Sequence, residues 1–269
     1  MLVNIHRLDM RHIFTNFFKS RINRFTKTHQ VRPRVHLQYV SDLHVDVNHQ
    51  LPEIVARCDN LAICGDLGKP DHPNFQKFLK QTSQSFKNVY FVAGNHDFDC
   101  GPQYEKIKVD HYKPMIKDIC STFKNVHLLD RSTQLIDDGI VIAGTTLWSR
   151  PIAQTKDPLI YKEHLEEHEK DVQWIEDLVK NNQHDHNIIM LTHFVPTFQL
   201  IAPQYQKKGL KTTSWFATDL EHLIEKPITA WLCGHSHSII TADINAIYCG
   251  INAYGYHPEI IADAKLIEI

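Results

Sequence analysis

Five times along this chain a short apolar run ends in a turn that carries Asp, Asn or His, and few folds can present so many such ends together. The runs Val35 to Val40, Leu61 to Cys64, Val89 to Ala93, Ile188 to Leu191 and Ile228 to Cys233 have strand lengths and β-rich compositions. They lead into Ser41-Asp42-Leu43-His44, Gly65-Asp66, Gly94-Asn95-His96-Asp97, Thr192-His193 and Gly234-His235-Ser236-His237. In open α/β sheets ligands gather at the carboxyl ends of strands, and a glycine ahead of the polar residue lets the backbone turn close to a ligand. Taken singly, Asp42 or Asp66 reads as a turn or helix cap, and His193 as a packed histidine. Five in succession point instead to a shared metal-binding centre.

The intervening sequence fits the same layout. Further strands are predicted at Val126 to Leu129, Ile140 to Ala143, Ile239 to Ala242 and Ala246 to Cys249, and helices at Asn74 to Phe86, Tyr104 to Phe123, Tyr161 to Lys180 and Ala217 to Glu225. Leu165, Val172, Ile175 and Leu178 or Val179 form the apolar stripe expected of the third helix. Strands alternating with helices predict one α/β layered domain over residues 35–269. Residues 1–34 differ, with eight Lys or Arg against the single acid Asp9, interleaved with apolar residues at helical spacing. That basic amphipathic extension reads as a docked or disordered arm, an organellar targeting segment or a membrane-surface helix, the only part expected to touch a membrane.

Composition narrows the partners. A net charge of -2 supplies no global field for nucleic acid, so nucleic acid is not the expected partner. Six cysteines without a CxxC pair suit a reducing, intracellular and cytoplasmic setting, and no apolar run approaches the ~20 residues of a membrane span. Of 19 histidines, most, including His72, His111, His164 and His168, are expected on the solvated surface.

Imidazole and carboxylate together suit borderline divalent ions such as Mn, Fe or Zn better than an all-oxygen Mg or Ca cage. The ordered motifs resemble those of the calcineurin-like metallophosphoesterase family, DxH, GD, GNH(D/E), H and GHxH, and the resemblance covers about Val35 to the C-terminus. It implies a layered sandwich of two central mixed β-sheets flanked by helices. It also implies one ion held by Asp42, His44, Asp66 and His237 and a second by Asp66, Asn95, His193 and His235, with Asp66 bridging. His96 would face the substrate and assist the leaving group, its tautomer fixed by Asp97 or a nearby carbonyl. The activity implied is hydrolysis of phosphomonoesters or phosphodiesters by a hydroxide bridging two ions ~3.5–4 Å apart. Lys69 stands where protein phosphatases and purple acid phosphatases carry their own extensions of the second motif. Gly144-Thr145-Thr146-Leu147-Trp148 and Asn252-Ala253-Tyr254-Gly255-Tyr256 resemble segments of the small stand-alone bacterial, fungal and viral enzymes, with Ala253 in place of a proline. Trp148, Arg150 and Tyr256 are accordingly candidates for the substrate pocket, and a small phosphoester is the expected substrate. The competing readings are a nuclease of the same family and a scaffold that keeps the fold for protein binding.

Overall fold

Leu61 and Ile63 pack on one side of their strand and Ala62 and Cys64 on the other, all four without solvent exposure, so this short run is apolar throughout because it lies between two layers. The same holds wherever strands lie inside the molecule. The computed structural model describes residues 34–47, 51–99, 108–137, 139–152, 158–182, 186–256 and 262–269. The elements are β1 (His36–Val40), β2 (Asn60–Cys64), α1 (Pro73–Ser85), β3 (Asn88–Val92), α2 (Val109–Ser121), β4 (Val126–Leu128), β5 (Ser132–Asp137), β6 (Ile140–Gly144) and α3 (Pro158–Lys180). They continue with β7 (Asn187–Leu191), α4 (Pro203–Gln206), α5 (Leu210–Thr213), β8 (Ile228–Cys233), β9 (Ile239–Ile244), β10 (Ile247–Asn252) and β11 (Lys265–Glu268).

Two sheets result, in the orders β11-β1-β2-β3-β4 and β5-β6-β7-β8-β10-β9. In the first, β1 to β4 are parallel and β11 runs antiparallel to β1. In the second, β6, β7, β8 and β10 are parallel, with β5 and β9 antiparallel at the edges. Leu37, Tyr39, Cys64 and Tyr90 of one sheet meet Ile142, Ile189, Leu191 and Leu232 of the other in a shared interior layer. On the outer face of the first sheet, Phe75, Phe78 and Leu79 of α1 and Tyr112 and Ile116 of α2 complete a second layer. Ile175 of α3 and irregular chain around Leu200, Leu220 and Ile224 close the outer face of the second. The layered α/β sandwich of two mixed sheets implied by the motifs is thus the observed fold.

Several local expectations differ. Ser132–Asp137 and Lys265–Glu268 were not expected as strands; both pair at sheet edges, where only Ile136 and Ile267 pack on the interior layer and Leu135 and Leu266 are exposed, so no run of buried apolar residues marks them. The helix expected over Ala217 to Glu225 reduces to one 3-10 turn, Glu221–Leu223. Its first residues are drawn elsewhere: Val195 and Ala217 form a parallel bridge, and the amides of Thr218 and Leu220 donate to the carbonyls of Val195 and Pro196. The basic extension expected over residues 1–34 lies outside the described residues except Arg34, which is paired with Glu268 at 2.5 Å. Among the described residues no helix is long and apolar enough to cross a membrane.

The largest correction concerns α3. His164 and His168, expected on the surface, are 1% and 4% exposed, and with Asp171 and Ile175 they form the buried stripe of the helix. The polar stripe has partners. Asp171 accepts from Thr145 Oγ1 at 2.6 Å and the Trp148 amide at 3.2 Å and pairs with Arg131 at 2.7 Å, while His168 Nδ1 meets the Trp148 carbonyl at 2.5 Å. The helix therefore grips the turn after β6 through polar contacts, while Val172, Ile175, Leu178 and Val179 of the predicted apolar stripe pack on the core of the second sheet. Burial drives His164 from the usual histidine range near 6.5 to about 3. The unfolded chain takes up this proton first as pH falls, so this group's stabilising contribution is complete above the ordinary histidine pKa and is lost progressively toward pH 3. Relative to His164→Leu, the wild type is expected to lose about 1.4 kcal/mol of stability per pH unit in that window, read from urea unfolding. A pH-independent difference would contradict the buried, neutral imidazole.

Candidate metal centre

The turns that follow β1, β2, β3, β7 and β8 converge across the seam between the two sheets. Asp42 lies in the turn after β1, and its two oxygens each lie 3.1 Å from the amide of His235, in the turn after β8 of the other sheet. His193, after β7, donates from Nδ1 to the Cys64 carbonyl at 2.9 Å, and its own carbonyl accepts from the Gly234 amide at 2.9 Å. The carbonyl contact fixes the proton on Nδ1 and aims Nε2 into the cluster, 3.0 Å from Asn95 Oδ1 and 3.3 Å from Asp66 Oδ1.

Two donor groups share one carboxylate. Asp42, His44, Asp66 and His237 offer ligand atoms within 4.8 Å of one another, and so do Asp66, His193 and His235. Asn95 joins the second group through its contact with His193. All seven residues that the motifs singled out are therefore brought together, and Asp66 stands in both groups. The donor chemistry fits divalent cations. The Nε2 atoms of His44 and His237 face each other at 3.1 Å, and the Oδ2 atom of Asp66 is buried without a hydrogen-bond partner among the described residues. Facing imidazole nitrogens beside a bare carboxylate oxygen are costly when dry and favourable around a cation.

Electrostatics point the same way. Burial pushes the His44 imidazole down to about 3 and His235 well below its usual range, which keeps both neutral and able to donate a lone pair. Burial would raise Asp66, but the charge and hydrogen bond of His193 outweigh it and hold the carboxyl well below its usual value. Conversely, burial lowers His193, yet the Asp66 carboxylate overrides this and lifts it to about 9. A cation bound at Nε2 would displace that proton.

The backbone is committed to this arrangement. Asp42, His44, Asp66, His235 and His237 all have φ between 43° and 67°, the left-handed region, which Asp and His tolerate better than bulkier side chains but still at a cost. Two glycines make room. A Cβ on Gly65, itself at φ 85°, would lie 2.2 Å from His193 Nδ1, and one on Gly94 would lie 2.3 Å from Asp66 Oδ1 and 2.6 Å from the Asp66 amide nitrogen. Gly94→Ala is therefore expected to displace the shared carboxylate, lowering stability by roughly 1–3 kcal/mol and divalent-ion affinity at least ten-fold, as titration calorimetry would register. Retention of wild-type affinity would contradict this packing.

The remaining candidate residues divide. His96 sits half-buried on the cavity side of the cluster, its amide donating to Asp66 Oδ1 at 2.8 Å and its ring edge-on to His44 at 4.7 Å. Asp97 does not orient the His96 ring as expected. Both its oxygens are taken by backbone amides, those of Asp66 at 2.9 Å, Gly94 at 2.7 Å and Gly68 at 2.8 Å, so it staples the turns after β2 and β3 together. Tyr256 stacks on His44 at 4.4 Å and borders a cavity of 530 Å³ whose floor includes Asp66, Asn95, His96, His235 and His237. Trp148 and Arg150 do not reach this cavity. Trp148 is packed among Phe98, His164 and Phe194, and Arg150 borders a separate depression beside Thr218, whose Oγ1 accepts from its amide at 2.7 Å. Tyr205, Trp215 and Phe216 line the cavity and were not anticipated, because the stretch that carries them, on and beside the short helices α4 and α5, contains no motif.

Residues 39–238, about three quarters of the chain, match the family model described as calcineurin-like phosphoesterase. An uncharacterized protein, L509, of Acanthamoeba polyphaga mimivirus is 28% identical over 263 residues, covering 83% of this chain and 92% of that protein. Among solved structures, a phosphopantetheinyl hydrolase from Mycobacterium tuberculosis superposes with a TM-score of 0.58 at 15% identity, over 82% of this chain and 89% of that one.

Proposed function

The chain belongs to the calcineurin-like phosphoesterase family, and we propose that it hydrolyses small phosphomonoesters or phosphodiesters at a centre holding two divalent metal ions. The observation that carries this reading is the pair of donor groups sharing Asp66 at the floor of the cavity, with His96 beside them. Two bound ions would supply Lewis-acid polarisation of a phosphoryl oxygen and a water acidified enough to attack phosphorus. The protein's own contributions follow from its side chains. Asp42 and Asp66 bring only two negative charges, so they undercompensate two divalent ions and leave the centre attractive to an anionic ester. Asp66 orients His96 through the His96 amide, holding an imidazole at the cavity edge within reach of a leaving oxygen, to which it can deliver a proton. Asp97, the Cys64 carbonyl and the left-handed turns keep the donors in place before any substrate arrives, which is the preorganisation such chemistry requires. A hydrolase among the solved structures of this fold agrees with the reading without specifying a substrate.

The test is turnover of bis-p-nitrophenyl phosphate and p-nitrophenyl phosphate by the purified chain in Mn, Fe or Zn and after chelation, with linear and circular DNA as comparison substrates. Metal-dependent hydrolysis of a small ester with DNA left intact is the expected outcome. Metal-independent turnover, or none on any ester, would remove the reading.

A further inference from the structure

Three aromatic side chains from one segment stand over the metal-side cavity. Tyr205 on α4 and Trp215 and Phe216 just after α5 line it, and Tyr256, from the turn after β10, closes the side above His44. Two of these aromatic groups start at the donor cluster, Phe216 with Tyr205 from His235 and Tyr256 from His44 and His237. Phe216 lies 5.0 Å from the His235 ring and is stacked with Tyr205 at 6.4 Å, while Tyr256 is stacked on His44 at 4.4 Å. The cavity, at 530 Å³, is of a size that takes a whole small ligand rather than a lone phosphoryl group.

Charge is distributed just as unevenly. Among the described residues no Lys or Arg lines this cavity, and the polar side chains beyond the cluster, Thr212, Ser236, Tyr205, Trp215 and Tyr256, carry only uncharged hydroxyls and an indole N–H. Lys208 Nζ sits 4.9 Å over the Tyr205 ring and does not line the cavity. A second phosphate on the substrate would meet no Lys or Arg among the described lining residues, whereas a flat uncharged ring would meet aromatic faces.

Resting on the hydrolase reading above, we infer that the substrate is an ester carrying a single phosphoryl group on an alcohol that bears a planar aromatic or heteroaromatic ring. The phosphoryl group binds at the cluster and the ring stacks in the wall formed by Tyr205, Trp215, Phe216 and Tyr256. Other anionic esters reach the same cluster but gain nothing from the wall.

The experiment compares 2-(1-naphthyl)ethyl phosphate with ethyl phosphate, each also as its methyl diester, using the full chain with Mn. The two alcohols leave as primary alkoxides, so the ring is the chief difference between them. The ring-bearing ester is expected to show kcat/KM about ten-fold or more above the ring-free one. In Tyr205→Leu and in Phe216→Leu, which keep apolar bulk but remove the ring, that ratio is expected to collapse toward one. Binding of the matching phosphonates and of 2-(1-naphthyl)ethyl diphosphate is followed in parallel by calorimetry, with the diphosphate expected to bind no better than the monophosphonate. Equal kcat/KM for ring-bearing and ring-free esters, or a ratio unchanged in both variants, would overturn the inference while leaving metal-dependent hydrolysis intact. Absence of turnover on every ester would defeat the hydrolase reading, and the phosphonate affinities would then decide the aromatic preference separately.

Discussion

His96→Ala is expected to bind divalent ions as the wild type does and yet to lose roughly 10²–10⁴-fold in kcat. The reason is spatial. His96 is absent from both donor groups, and its hydrogen bond to the cluster is made by its backbone amide to Asp66 Oδ1, which alanine retains; its ring only lies edge-on to His44. Its imidazole instead borders the cavity, where a proton donor is needed only as the leaving oxygen develops charge. The effect should therefore depend on the leaving group: esters of acidic phenols, which depart without a proton, should suffer far less than alkyl esters. Steady-state rates for the two ester types, with metal content measured on the same preparations, check this. An equal loss on both, or a loss of metal, would assign His96 a role in the centre itself.

The second large effect is at the shared carboxylate. Asp66→Asn preserves an oxygen that can accept from the His96 amide, so the fold of the turn has what it needs. It removes the negative charge that both donor groups use, together with the buried oxygen that has no hydrogen-bond partner among the described residues. Divalent-ion affinity is expected to fall by roughly 100-fold or more at both positions at once, because neutral amides are poor partners for borderline cations and the two groups have no other carboxylate in common. Loss of one ion only, with turnover maintained, would mean that the two groups do not share Asp66.

Much of the centre was legible because each motif residue follows an apolar run, and a run buried on both faces announces a strand whatever its partners. Asp42, His44, Asp66, Asn95, His193, His235 and His237 are close in space because five strands end on one side, and strand ends are what short apolar runs reveal. What escaped has a different origin. The polar stripe of α3, with His164, His168 and Asp171 turned inward, violates helical amphipathicity and becomes intelligible only once the turn carrying Thr145 and Trp148 is seen packed against it. Ser132–Asp137 and Lys265–Glu268 pair at edges, where register and polarity carry little information. The aromatic wall escaped for a related reason. Tyr205 on the one-turn helix α4 and Trp215 and Phe216 beyond α5 belong to chain whose path is set by tertiary contacts such as the Val195 to Ala217 bridge, so nothing local tells which rings meet. Trp148 shows the converse: its motif-like setting suggested substrate contact, whereas Phe98, Phe194 and His164 enclose it in the core.

The most direct test of a two-ion hydrolytic centre is the number of metal ions bound per chain, measured by elemental analysis alongside hydrolysis of bis-p-nitrophenyl phosphate during stepwise Mn loading of the wild type and Asp66→Asn. Two ions per wild-type chain, activity that rises with loading, and neither ion nor activity in Asp66→Asn are expected. A single ion supporting full activity, or full activity in Asp66→Asn, would contradict a centre built on two donor groups sharing one carboxylate.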